Sequence, residues 1–185
     1  MYRSRKTRWV LLVFTVALGA GCVGPVPNVN LLRAPEGASL PQIVIDTTGT
    51  LHLVYYAGSM SSGDLFHVTR GSEASEWSAP QRVNSQAHSV TGLGPIDGGQ
   101  VVVGPDGLLH VTWFHRDPTR FYYTRSNHTG AFELQQVLSV KDEEGVESGS
   151  TVTVDSHGNV YVFWHAGPLP DAHRRVYMAV SRNNG

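Results

Sequence analysis

Four arginines, Arg116, Arg120, Arg174 and Arg175, stand in two short polar stretches that follow apolar runs ending in aromatics. Asp97, Asp117, Glu147 and Asp171 are the acids of these and neighbouring stretches, with His115 and His165 beside them. A guanidinium group holds a carboxylate through two parallel hydrogen bonds, and carboxyl and imidazole groups move protons. From this set Asp97, Arg116, Glu147, His165, Arg174 and Arg175 are the candidate site residues. Each also has a plainer reading. Arg174 and Arg175 follow a long polar loop and suit solvated charges. Asp97 and Glu147 precede Gly-rich strand starts, where a carboxylate caps backbone N–H groups. His115 and His165 divide between lining a pocket and packing. Nine histidines invite a metal, yet no His-x₃-His spacing puts two on one strand face, so neither zinc nor any cofactor is expected. Asp46, Asp106 and Asp155 read as turn residues, with calcium the alternative, and His52 and His110 as packing residues on strands.

The elements that must position these groups come from a repeat. Ile43–Tyr55, Val101–Trp113 and Val152–Trp164 superimpose: each has a β-branched run, a tight turn closing on Gly, an alternating strand and an aromatic six residues after that Gly. The glycines, Gly49, Gly107 and Gly158, are 58 and 51 residues apart, a spacing that fits a propeller blade. A third strand follows in each unit, at Leu65–Thr69, Phe121–Arg125 and Val176–Val180. A fourth is visible twice, at Gln81–Val83 and Leu134–Leu138. The fold class is therefore all-β: a β-propeller of four-stranded antiparallel blades, over about 40–92, 93–140 and 147–185. The third blade is expected to be truncated, in the N-terminal fragment of a longer protein. In such a meander the loops between second and third strands, and the links between blades, share one end. The candidate residues lie there. The other turns share the opposite end.

The turns between third and fourth strands carry a family resemblance. Ser126-Asn-His-Thr-Gly-Ala-Phe132 keeps the Ser, Gly and aromatic of an Asp-box, with His128 where Asp belongs. Ser181-Arg-Asn-Asn-Gly185 keeps Ser and Gly with Asn183 for Asp, and Trp77 marks the same place in the first unit. Together with Glu147–Asp155 and Asn159–His165, the pattern resembles the sialidase (BNR, Asp-box repeat) superfamily, in particular its exported bacterial members. The resemblance implies six blades in the intact protein, and hydrolysis of terminal sialic acid in the catalytic members. It also implies an arginine cluster for the substrate carboxylate, a Tyr–Glu pair and an acid/base Asp. The family's aromatic-Arg-x-Pro motif has only a partial counterpart in Leu32-Arg33-Ala34-Pro35. No motif carries a catalytic residue over.

The N-terminus reads as a lipoprotein signal peptide over 1–21. Arg3, Arg5, Lys6 and Arg8 precede Trp9–Leu18, ten residues without a charge, too short to span a bilayer as a helix. Leu18-Gly-Ala-Gly-Cys22 resembles a lipobox, which makes Cys22, the sole cysteine of the chain, the lipidation site. Residues 22–39, rich in Pro and Asn, are the expected tether. Without the signal, ten bases face fifteen acids, a net −5 that provides no footprint for nucleic acid. The expected protein is exported and lipid-anchored at the outer membrane or cell surface, with membrane contact through the lipid alone and a carbohydrate or glycoconjugate as partner. Two functions stand side by side: an exo-glycosidase of exo-α-sialidase type, or a non-catalytic propeller that binds glycan or protein.

Overall fold

The turns after Ile45 and Val154 are set by one local device. Asp46 Oδ1 accepts hydrogen bonds from Thr48 N at 2.9 Å, Thr48 Oγ1 at 2.7 Å and Thr50 N at 2.9 Å, and Gly49 N closes on the Asp46 carbonyl. Gly49 sits at φ +83°, where a Cβ is disfavoured, so the Asx-x-x-Gly pattern selects glycine there. Asp155 does the same, accepting from His157 N and Asn159 N, with Gly158 at φ +81°.

In the computed structural model the residues described are 31–94, 97–138, 146–166 and 175–185, with only the backbone of 146–148. The chain divides into Met1–Arg33 and Ala34–Gly185, and the strands belong to the second unit. Every regular element among the described residues is a strand. β1 (Ser39–Ile45), β2 (Leu51–Gly58), β3 (Gly63–Arg70) and β4 (Gln81–Arg82) form the first antiparallel sheet. β5 (Gly99–Val103), β6 (Leu109–Arg116), β7 (Thr119–Arg125) and β8 (Gln136–Val137) form the second. β9 (Val146–Val154), β10 (Val160–Ala166) and β11 (Arg175–Ser181) form the third, which has three strands. Strand order follows the sequence in all three, as a meander requires. The expected outer strands are present but shorter, two residues each in β4 and β8.

Side-chain alternation sends each strand's residues to opposite faces, and both faces of the second sheet are buried. Toward the first sheet, Val111, Trp113 and Tyr122 pack against Val54, Tyr56 and Leu65. Toward the third, Phe114, Phe121 and Tyr123 pack against Val152, Val162 and Trp164. Burying a side chain of this size contributes about 1.5–3 kcal/mol, so these two seams are the main cohesive force. The strands β1, β5 and β9 lie side by side, with β5 between the other two. Three sheets face to face with their first strands adjacent make a propeller-like array. The other face of the first sheet carries Leu53, Tyr55 and Val68, packed against Ala38, Phe66 and Trp77.

Candidate functional site

The array has two ends of different chemistry. At one, the link between the first and second sheets is woven between the β2–β3 and β6–β7 turns. Gly63 pairs with Val90, Thr91 N donates to the Phe114 carbonyl, Gly92 N donates to the Met60 carbonyl, and Arg116 N donates to Thr91 Oγ1 at 3.0 Å. A buried amide anchors this link. Asn84 Oδ1 accepts from Leu65 N at 2.8 Å, while its Nδ2 donates to Asp64 Oδ1 at 2.7 Å and to the Gln86 carbonyl at 2.6 Å. Asp64 Oδ1 accepts also from His88 N, and Trp113 Nε1 donates to the Ser89 carbonyl. The link passes so close to Tyr56 that a Cβ on Gly92 would lie 2.4 Å from its ring.

That link delivers Asp97 to the start of β5. Its side chain is 4% exposed. Oδ2 accepts from Gly94 N at 2.8 Å, the backbone capping expected of it, but Oδ1 is buried with no hydrogen-bond partner among the described residues. Leaving a buried acceptor unsatisfied costs about 1–3 kcal/mol, more for a charged group. The Tyr56 hydroxyl is held above its ordinary pKa by burial first, with the carboxylates of Asp64 and Asp97 adding to it. Arg116 is exposed at the end of β6, tied through its backbone to the same link. Around it, His115 Nδ1 lies 3.3 Å from the Pro118 carbonyl, and Arg120 Nη1 donates to the Thr119 carbonyl. Arg175 is exposed on β11 at this same end, and His165 on β10 is half-buried. Glu147 lies in β9, but its side chain is outside the described residues, as are Asp171 and Arg174 entirely. Asp97 and Arg116 are thus gathered by one link, whereas Arg175 belongs to the rim of the third sheet. The Asn84–Asp64–Ser89 anchor was not legible in the sequence, because Val-Asn-Ser carries no pattern there.

At the opposite end the carboxylates are consumed. Asp46 lies below the ordinary carboxylate range through the Thr48 hydroxyl and the Thr50 N–H, and Asp155 falls to about 2 through Asn159 chiefly. An ionised Asp46 takes the Nε2–H of His52 at 3.3 Å, so His52 Nδ1 is left to accept from His67 Nε2–H at 3.1 Å. The ring centroids are 5.3 Å apart and the planes differ by 7°, so the rings lie end to end. A proton fits that line; a zinc ion, needing two bonds of roughly 2.0–2.1 Å, does not. Burial first, then the neighbouring His52, lowers His67 to about 4. His52, His67, Asp106, Asn127 and His128 line a depression of about 360 Å³. No group of three or more His, Cys, Asp or Glu among the described residues is arranged to hold a metal.

The turn at Ser126–Phe132, whose spacing resembles an Asp-box with His128 at the Asp position, is formed by a different residue. The acceptor is Asn127, not the residue in the Asp position. Asn127 Oδ1 takes Thr129 N at 2.9 Å, Thr129 Oγ1 at 2.6 Å and Ala131 N at 3.1 Å, with Gly130 at φ +82°. This is the Asp46 turn repeated, and His128 is left exposed. An amide or carboxylate three residues before the positive-φ glycine reaches those N–H groups; His128, two before it, does not take that place.

No protein-family model matches the chain, and no curated protein matches it. Among solved structures, the polysaccharide lyase Uly1 superposes with a TM-score of 0.59 at 12% identity, over 79% of this chain and 41% of its own. A fucose lectin from Kordia zhangzhouensis, in complex with methyl-fucoside, gives 0.46 at 15% identity over 74% and 90% of the two chains. An endo-arabinase from Bacteroides thetaiotaomicron gives 0.45 at 12%, over 78% and 56%. The chain thus spans 41% of the lyase's length. At these identities the similarity is one of fold: an all-β array of antiparallel sheets arranged in the manner of a propeller.

Proposed function

We propose that this chain engages carbohydrate through the end of the array that holds Asp97 and Arg116. The observation that carries the reading is the Asp97 carboxylate, buried yet with one oxygen that has no partner among the described residues, at the start of a first strand. A sugar hydroxyl is a donor of the right kind for such an acceptor. Exposed guanidinium groups at Arg116 and Arg175 suit the ring oxygens or a carboxylate of a glycan. The lyase that shares the fold is described as acting on polysaccharide, which agrees with this reading. The finer reading is an exported, sialidase-like lipoprotein held by Cys22, with exo-sialidase hydrolysis as its activity; a non-catalytic glycan-binding propeller is the rival. Asp97 serves either. In the first it is a proton carrier, in the second an acceptor for a sugar hydroxyl.

The test is a glycan array probed with the full chain and with Asp97→Asn, followed by release of a fluorescent group from sialosides and other glycosides. Binding that disappears in the variant supports the reading, and turnover selects hydrolysis over binding. Binding unchanged by the substitution sinks it. Incorporation of labelled palmitate that is abolished by Cys22→Ser checks the anchor.

A further inference from the structure

One hydroxyl at the end of the array that holds Asp97 has a place that packing alone does not explain. Tyr56, near the end of β2, is 2% exposed and lies in the seam between the first and second sheets. By register its counterpart is Phe114, since Tyr56 pairs with Leu65 as Phe114 pairs with Phe121. Phe114 is also 2% exposed, so a bare ring fills a seam equally well at this position. What Tyr56 adds is an oxygen. The repeat also clears room for it. Gly58 and Gly63 pair at the β2–β3 turn where Arg116 and Thr119 pair at the β6–β7 turn. A Cβ on Gly63 would lie 2.5 Å from the Tyr56 hydroxyl oxygen, and one on Gly58 3.1 Å from it. Gly92 closes the slot against the ring. Glycines on three separate segments thus accompany the hydroxyl, and side chains return where the ring lacks one.

The hydroxyl donates to the Ser59 carbonyl. Burial first, then the carboxylates of Asp64 and Asp97, keep it a phenol, and so a donor, at neutral pH. The turn it grips is mostly exposed. Otherwise Ser59 and Ser62 hold each other, and Ser62 Oγ donates to the His88 carbonyl at 3.3 Å. The next residue, Met60, accepts from Gly92 N at 3.0 Å. Gly94, two residues further along the link, donates to Asp97 Oδ2 at 2.8 Å. A path of hydrogen bonds and short backbone spans therefore runs from the phenol to the Asp97 carboxylate.

We propose that Tyr56 is a positioning residue for Asp97: its hydroxyl fixes the Ser59–Ser62 turn, and that turn fixes the link that aims the carboxylate. A site group stays aimed only while the backbone that carries it is held. Tyr56 is too deeply buried to meet a sugar itself and acts through Asp97. This role rests on the carbohydrate reading, while the geometry behind it is testable without a ligand.

Tyr56→Phe removes the oxygen and keeps the ring that Phe114 occupies in the second sheet. In the full chain, isotopically labelled at the aspartate carboxyl carbons, the Asp97 resonance is the one lost in Asp97→Asn. It should move in Tyr56→Phe, while that of Asp155, at the opposite end, stays in place. The Gly92 amide should exchange with deuterium about tenfold faster. On the glycan array Tyr56→Phe should bind about tenfold more weakly. In the Asp97→Asn background it should add no further loss. An Asp97 resonance and a Gly92 exchange rate that match the parent overturn the proposal. So does a loss of affinity that adds in full to that of Asp97→Asn. A parent chain that binds no array glycan sinks the carbohydrate reading alone, and the resonance and the exchange rate still decide this one. Should Tyr56→Phe fail to fold, Gly92→Ala, which presses the link off the ring, is read by the same Asp97 resonance.

Discussion

The two ends of the sheet array are built from the same residue types and use them in opposite ways. At the end with the Asx-x-x-Gly turns, each carboxylate or amide is spent on its own backbone: Asp46 on Thr48 and Thr50, Asn127 on Thr129 and Ala131, Asp155 on His157 and Asn159. At the end with the inter-sheet link, Asp97 keeps one oxygen without a partner among the described residues, and Arg116 and Arg175 face solvent. The difference lies in the length of chain between strands. A five-residue turn lets a short acceptor reach two or three N–H groups of the same turn. The long link from β4 to β5 is held at its start by Asn84, and Asp97 uses one oxygen to cap Gly94 N. Acceptors that satisfy the turn stabilise; an acceptor left over is the one we propose a sugar hydroxyl would meet.

The largest test of this contrast concerns pH at the turn end. His67 titrates at about 4 when folded against 6.5 for an unperturbed imidazole. Between those values the unfolded chain binds a proton that the folded chain does not. Stability is therefore full above pH 6.5 and falls as pH drops toward 4, by up to about 3 kcal/mol from this residue. Chemical denaturation at pH 7 and pH 4.5 should show the drop, and His67→Gln should remove most of it. An equal slope in the variant would mean that the buried imidazole is not its source.

Next comes Asp97→Asn, expected to weaken glycan capture by about 100-fold, roughly 2.7 kcal/mol, with the melting temperature unchanged or raised. A variant that melts much lower would make Asp97 structural and erase the distinction between the ends. Arg116→Ala is smaller: about a tenfold loss of affinity, or 1.4 kcal/mol, measured by titration calorimetry. Its stability should stay within about 0.5 kcal/mol of the parent. The smallest effect is at the turns. Asn127→Ala should cost about 1 kcal/mol in denaturation and leave glycan binding untouched, because its acceptor serves the turn alone.

Much of this architecture is legible in the sequence, and the reason is local. Alternation in Leu51–Tyr55 and Leu109–Trp113 follows from the two-residue period of a strand, and glycine at 49, 107 and 158 from the positive φ of the turn. The candidate residues were harder to judge. The sequence puts Asp97 and Glu147 in similar places before Gly-rich strand starts, and nothing in it says which carboxylate oxygen finds a partner. His128 occupies the Asp position of the motif by spacing, yet the turn is formed one residue earlier, by Asn127.

Sequence by itself decided the strand order, the turns and which side chains share a face, because each depends on neighbours within a few residues. Tertiary structure alone decided that His52 meets His67 in line, since that needs the β2–β3 register of Val54 opposite His67. It also decided that Asp97 is buried with one oxygen that finds no partner among the described residues. Those outcomes depend on which sheet stands beside which, a relation between residues dozens of positions apart that no local period encodes.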